Sequence, residues 1–315
     1  MMGNNTSNNT SKNAESTMKN VKIEVVHDEA MQVGECPLWH DVESALYWVD
    51  INGLTVNRVH PASGKFTSWK MGSEPSAIAA DADNNLVVAT RNGFVRLNTT
   101  SGEMEDICPA PYDTKQVRFN DGRVDPMGRF WVGTMYEPRD KPAAEMYVLE
   151  RDALRLAWSG GMTNSNGLAW SLDGRCMFHA DTTSHRIDLY DFDPEAGQAT
   201  LNRNLVTFDA DKNAPEYGGR PDGAAVDSEG NYWIAMFEGA RLLKLSPTGE
   251  LLHEVQLPLR CPTALAFGGT DLRTLYVTSA SHGRSNAEKE QYPLTGKVLA
   301  LRVDVAGQVA TEYRR

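Results

Sequence analysis

Six polar residues recur at one position of a repeating pattern: Glu35, Ser76, Asn120, Asn166, Asp222 and Thr263. Each heads a run that then turns apolar, where a packed core would accept Val or Ile. Two carboxylates and two amide carbonyls are hard oxygen donors of the kind that Ca²⁺, Mg²⁺ or Mn²⁺ prefers. No His or Cys shares the position, which argues against a dedicated His/Cys zinc site. Glu35 and Asp222 facing each other across a channel would repel unless protonated or bridged by a cation. A water-filled polar channel also accounts for the pattern. Ser76 has no His or Lys beside it in sequence, which argues against a serine hydrolase.

The elements that position these six follow from a second repeat. Twelve to fourteen residues after each comes an aromatic-rich β-run: Leu46-Tyr47-Trp48-Val49-Asp50, Leu86-Val87-Val88-Ala89-Thr90, Phe130-Trp131-Val132-Gly133-Thr134, Met177-Phe178-His179-Ala180-Asp181, Tyr232-Trp233-Ile234-Ala235-Met236 and Leu275-Tyr276-Val277-Thr278-Ser279. Their centres lie 40, 44, 47, 55 and 43 residues apart. A β-run period in the forties is the signature of propeller blades. Strand-then-turn segments ending in Gly follow five of the runs, and residues 146–154 carry only a degenerate version. Helical periodicity is absent. The pattern predicts an all-β fold, a six-bladed β-propeller with a central metal-binding channel over residues 21–315. Val21-Lys22-Ile23-Glu24-Val25-Val26 is a strand without a blade of its own, and pairing it with the C-terminal blade would close the ring and remove a free edge.

Six blades use most of the 315 residues, so one domain is expected. Residues 1–20 are rich in Asn, Ser and Thr, lack the apolar core of a signal peptide, and read as a disordered tail. The net charge of −11 excludes nucleic acid as a natural partner, since phosphate binding needs clustered Lys and Arg. No apolar run approaches the ~20 residues that span a bilayer. Cys36, Cys108, Cys176 and Cys261 form no CxxC or metal-finger pattern, which indicates free thiols and a cytoplasmic setting. No exposed apolar helix or heptad appears, so a monomer is the default. Trp39, Trp48, Trp131, Trp170 and Trp233 recur at blade-equivalent positions and are expected between blades. His282 and Arg284 are expected on a surface loop, and His179, His185, Asp181 and Thr182 near the channel rim.

Gly34-Glu35-Cys36-Pro37-Leu38-Trp39, Arg118-Phe119-Asn120-Asp121-Gly122-Arg123-Val124-Asp125-Pro126, Gly133-Thr134-Met135, Ser165-Asn166-Gly167-Leu168-Ala169-Trp170-Ser171 and Arg220-Pro221-Asp222-Gly223 together resemble the SMP-30/gluconolactonase/regucalcin-like (LRE) family. The resemblance runs from about Val21 to Val309. It implies one divalent metal ion (Ca, Zn, Mn, Mg or Fe) on Glu35, Asn166 and Asp222, and a sugar lactone contacted by Arg118 and Asn120. It implies a lactonase, a carboxylic ester hydrolase acting on aldonolactones such as gluconolactone or a pentonolactone, with Asp222 also activating water. The alternatives are a calcium-binding regulatory protein of the regucalcin kind, a hydrolase of phosphotriesters or larger lactones, and a propeller serving only as an interaction platform. One departure concerns substrate preference: where some relatives carry a substrate-contacting acid after Gly-Thr-Met, this chain reads Tyr136-Glu137-Pro138, with Pro138 at the aligned position.

Overall fold

A computed structural model describes residues 22–315 except Asn84 and Glu216. The expected tail, residues 1–20, lies outside the described residues. Six four-stranded antiparallel sheets form the blades of a propeller. Their inner strands are Gly34–His40, Pro75–Ala80, Val117–Val124, Ser165–Trp170, Arg220–Val226 and Pro262–Gly268. The six aromatic runs are the second strands, each paired antiparallel to its inner strand. These second strands are nearly all buried because each is covered on both faces by neighbouring blades. A strand covered on both faces reads as a continuous apolar run, which is why the aromatic motif stood out.

The ring closes as expected. Strand Ile23–His27 adds to the outside of the last blade, with Ile23 opposite Leu301, Glu24 opposite Ala300 and Val25 opposite Leu299. One sheet thus unites the two ends of the propeller. The five expected tryptophans are all buried, and rings meet across blades: Trp131 lies edge-on to Trp170 at 6.3 Å, and Trp39 stacks on Tyr276 at 5.5 Å.

Three features escaped the sequence patterns. Blade three has a full outer hairpin, Glu145–Glu150 with Ala153–Ser159. Its two-residue turn uses Arg151 and Asp152, both at positive φ (50° and 61°), so no glycine marks it. A six-residue helix, Asn286–Gln291, sits on the loop after the last aromatic run. It buries no residue, so it shows no apolar period, and it is held by Ser285 accepting a hydrogen bond from the Glu288 N–H. Residues 303–315 cross the far end of the channel. There Tyr313 N–H donates to Ala80 O at 2.7 Å, and Tyr313 Oη donates to Asp152 at 3.0 Å. A cavity of about 270 Å³ at that end is lined by Trp39, Val124, Trp170, Phe267 and residues 308–311.

Where blades five and six meet at the channel, Gly223 lies against backbone. A Cβ there would sit 2.7 Å from Ala264 Cα and 2.9 Å from Thr263 O. Neither atom can yield without moving an inner strand. Gly223→Ala is therefore expected to cost about 1–3 kcal/mol, seen as a melting temperature lowered by several degrees.

Candidate active site

Each inner strand slips register near its head. The shifts fall between Glu35 and Leu38, Pro75 and Ala77, Phe119 and Gly122, Asn166 and Ala169, Pro221 and Ala224, and Pro262 and Leu265. All six polar residues of the sequence pattern therefore sit in or beside a β-bulge, the device that re-aims a side chain out of strict alternation. The bulges demand unusual backbone: Cys36 has φ 45° and Gly167, in the equivalent place on blade four, φ 63°. A Cβ on Gly167 would approach Ala180 Cβ to 2.9 Å and Asp222 O to 3.1 Å, so glycine is required there twice over.

Five of the six line one cavity of about 420 Å³ at this end of the channel: Glu35, Asn120, Asn166, Asp222 and Thr263, with Arg118 beside them. Ser76 does not; it is buried and donates to Ala89 O at 3.3 Å, which removes it as a nucleophile. Thr263 is held by Thr278 Oγ1 at 2.9 Å.

Glu35 and Asp222 are only 7% and 5% exposed. Glu35 accepts one hydrogen bond, from Cys36 N–H at 3.2 Å. Asp222 accepts none from the described residues, although Arg118 and Arg220 exert a favourable field on it. Burial, then Asp222 and Asp121, pushes the Glu35 carboxyl well above its ordinary range. Burial and then Asp121 does the same to Asp222. Asp121 is a third buried carboxylate, accepting from Leu168 N–H at 3.1 Å and compensated by Arg123. Nothing in the repeat marked it, because it lies one residue past Asn120 inside the bulge, on what strict alternation would make the opposite face.

A chain of hydrogen bonds fixes the amides. Arg118 Nη1 donates to Asn120 Oδ1 at 2.7 Å; Asn120 Nδ2 donates to Asn166 Oδ1 at 3.0 Å and Ser165 O at 2.8 Å. Asn166 Nδ2 donates to Thr182 Oγ1 at 2.7 Å, and Thr182 Oγ1 donates to Pro221 O at 2.8 Å. Blades three, four and five are thus linked, and the Asn166 carbonyl keeps one lone pair free toward the cavity. Among the described residues no group of three or more His, Cys, Asp or Glu makes a metal cage. The candidate donors are two carboxylates and an amide, a set that suits a hard cation better than a soft one.

This fold and these motifs match known proteins. Residues 33–281 match the family described as SMP-30/Gluconolactonase/LRE-like region. The chain belongs to that family. It is 40% identical over 288 residues to a 6-deoxy-6-sulfogluconolactonase of Pseudomonas putida, covering 91% of this chain and 97% of that protein. It is 33% identical over 290 residues to regucalcin of Xenopus laevis, with 90% and 95% covered. Among solved structures, a luciferin-regenerating enzyme superposes with a TM-score of 0.85 at 30% identity, covering 94% and 100% of the chains. A calcium-binding regucalcin of Agrobacterium tumefaciens superposes with a TM-score of 0.85 at 25% identity, covering 92% and 97%.

In this family member the rim brings in residues that the repeat did not mark. His282 and Arg284 lie on a loop, with His282 exposed, and that loop turns back over the ring so that both also line the cavity. Ser281 N–H donates to Gln32 O at 3.0 Å, and Ser281 Oγ to Met31 O at 2.7 Å. Glu137 also lines the cavity and is clamped by Arg91 through Nη1 at 2.8 Å and Nη2 at 2.9 Å, while Pro138 does not reach it. His179 is buried against Ser165 Oγ at 3.0 Å, away from the cavity. The four cysteines are free as expected, and burial pushes the Cys36 thiol up to about 12, which rules out a ready thiolate.

With raised carboxyl groups, the folded chain holds protons that the unfolded chain releases in the ordinary carboxylate range. Stability of the metal-free protein therefore falls as pH rises through and above that range. Asp222→Asn removes one of the repelling charges. It is expected to raise the metal-free melting temperature at pH 8 by about 2 °C or more, measured by scanning calorimetry.

Proposed function

We propose that the chain is a metal-dependent lactonase that hydrolyses an aldonolactone to the aldonic acid. The observation that carries this reading is the buried pair Glu35 and Asp222, largely without hydrogen-bond donors, beside a cationic Arg118 in a cavity of about 420 Å³. Such a pair is costly unless a cation completes it. Glu35, Asn166 and Asp222 would hold one divalent ion (Ca, Zn, Mn, Mg or Fe). Bound there, the ion supplies Lewis-acid polarisation of the lactone carbonyl, worth several kcal/mol.

The chain's own residues do the rest. Asp222 has a second carboxylate oxygen free to take a proton from the attacking water. Water adds to the ester carbon, the ring C–O bond breaks, and that proton passes to the departing ring oxygen. Arg118 holds the lactone by its hydroxyls from the cavity wall. Asn120 has both amide protons committed to Ser165 and Asn166, so it meets substrate only through Oδ1 and otherwise orients Arg118 and Asn166. Thr182, whose hydroxyl bridges Asn166 and Pro221, fixes the amide donor from behind.

The names of the relatives support the same substrate class, since one of them is a lactonase for a sulfogluconolactone. Others are named regucalcin, and the calcium-binding regulatory reading uses the same three donors. Arg118 favours the enzyme, because a calcium store needs no cation facing its ligands.

A pH-indicator assay on a panel of pentono- and hexonolactones, corrected for spontaneous opening, separates the two. Chelator-treated protein is expected to lose turnover and regain it with one or more divalent ions. Asp222→Asn is expected to lose about 100-fold or more in kcat; full activity in that variant would overturn the mechanism. Thr182→Val is expected to weaken metal affinity by about 10-fold, read by competition with a metal-binding dye.

A further inference from the structure

A second charged cluster lies at the cavity mouth, beyond the residues assigned to that chemistry. Arg220, at the head of the inner strand of blade five, and Arg284, on the loop after Thr274–Ser279, both line the cavity with Phe237. Their guanidinium carbons lie 5.1 and 6.0 Å from the centre of the Phe237 ring, so one aromatic ring carries both cations. They also share one carboxylate. Glu238 Oε2 is 3.1 Å from Arg220 Nη2, and Glu238 Oε1 is 3.4 Å from Arg284 Nη1. Lys212 Nζ reaches the same carboxylate at 2.8 Å, and Glu288 approaches Arg284 at 3.6 Å. Among the described residues three cations therefore meet two carboxylates.

The hydrogen-bond count agrees with the charge count. Arg220 Nε and Arg284 Nε are both buried with no acceptor. Each guanidinium has five donors, and most of these have no partner among the described residues. An unmet buried donor is costly unless water or a ligand meets it. Arg91, Arg118 and Arg139 also line the cavity, with Glu74, Glu137 and the buried pair Glu35 and Asp222. The surplus of cations is confined to the cluster around Arg220 and Arg284, in a chain whose net charge is −11. The imidazole of His185 feels it: burial first, then Arg220 and Lys212, hold it below its ordinary range.

We propose that Arg220 and Arg284 form an anion-binding subsite, and that the lactone opened here carries a negatively charged group remote from its ester carbonyl. The identity of the ligand as a lactone rests on the function proposed above; the anion subsite rests on the arginines alone. The planar guanidinium fork pairs two N–H donors with two oxygens of a phosphate, sulfonate or carboxylate. Phe237 holds both guanidinium groups in place before the ligand arrives, which lowers the ordering cost of binding, while Glu238 competes with the ligand for them.

The test compares gluconolactone with its 6-phosphate in the lactone assay, and gluconate with 6-phosphogluconate by titration calorimetry. Wild-type protein is expected to favour the charged lactone by about 10-fold or more in kcat/KM, and the charged acid by a similar factor in Kd. Arg284→Gln should reduce both preferences by about 10-fold, and Arg284→Lys should restore part of them. Glu238→Gln, which removes a competing carboxylate, should raise them, an opposite sign that misfolding cannot produce. Lactones with a 6-sulfonate or a 6-carboxylate in place of the phosphate rank the three anions. Equal handling of charged and neutral compounds would overturn the anion subsite while leaving the lactonase standing. Tighter binding of 6-phosphogluconate without turnover of any lactone would overturn the lactonase and support the subsite.

Discussion

Folding presses the carboxylates of Glu35 and Asp222, from blades one and five, into one channel where water screens them poorly. Burial raises the proton affinity of both, Asp222 and Asp121 raise that of Glu35 further and Asp121 that of Asp222, and the same burial denies Asp222 a protein donor. The surrounding architecture copes with that conflict. Closure by strand Ile23–His27 holds blades one and six in register, and the relay from Arg118 through Asn120, Asn166 and Thr182 to Pro221 ties blades three to five. With these ties the carboxylates cannot relax apart, and their repulsion persists in the folded chain.

The bulges are the means by which a regular fold carries irregular chemistry. A strict strand would send neighbouring residues to opposite faces. The slip after Glu35, Asn166 and their counterparts lets adjacent residues such as Asn120 and Asp121 both approach the channel. The backbone conformations that result, at Cys36 and Gly167, are held by the inner strands packed around them.

Opposite charges meet in one cavity. The buried carboxylates Glu35 and Asp222 share their cavity with the guanidinium groups of Arg91, Arg118, Arg139, Arg220 and Arg284, within a chain that is acidic as a whole. Guanidinium groups clustered in a narrow cleft create a field that favours an anionic or electron-rich ligand. Membership of the SMP-30/gluconolactonase/LRE-like family fits that polarity, since a lactone presents a carbonyl at one end and hydroxyl or charged groups along its ring.

Much of this was legible in the sequence. The blade count, the ring closure and the heads of the inner strands followed from repeats, because each blade solves the same packing problem and so reuses the same residue types at the same spacing. Glu35, Asn120, Asn166 and Asp222 were visible as polar intrusions where the core permits apolar residues. Local patterns could not show which way a bulge turns its side chains, and so missed Asp121. Nor could they show that the loop bearing His282 and Arg284 folds back over the channel, or that Arg151 and Asp152 make a glycine-free turn. Those outcomes depend on contacts between residues far apart in sequence, such as Ser281 with Met31 and Tyr313 with Asp152, which carry no period. The sequence by itself determined what each blade is; the closed ring decided which charges meet, because only ring geometry brings the ends of six separate strands to one axis.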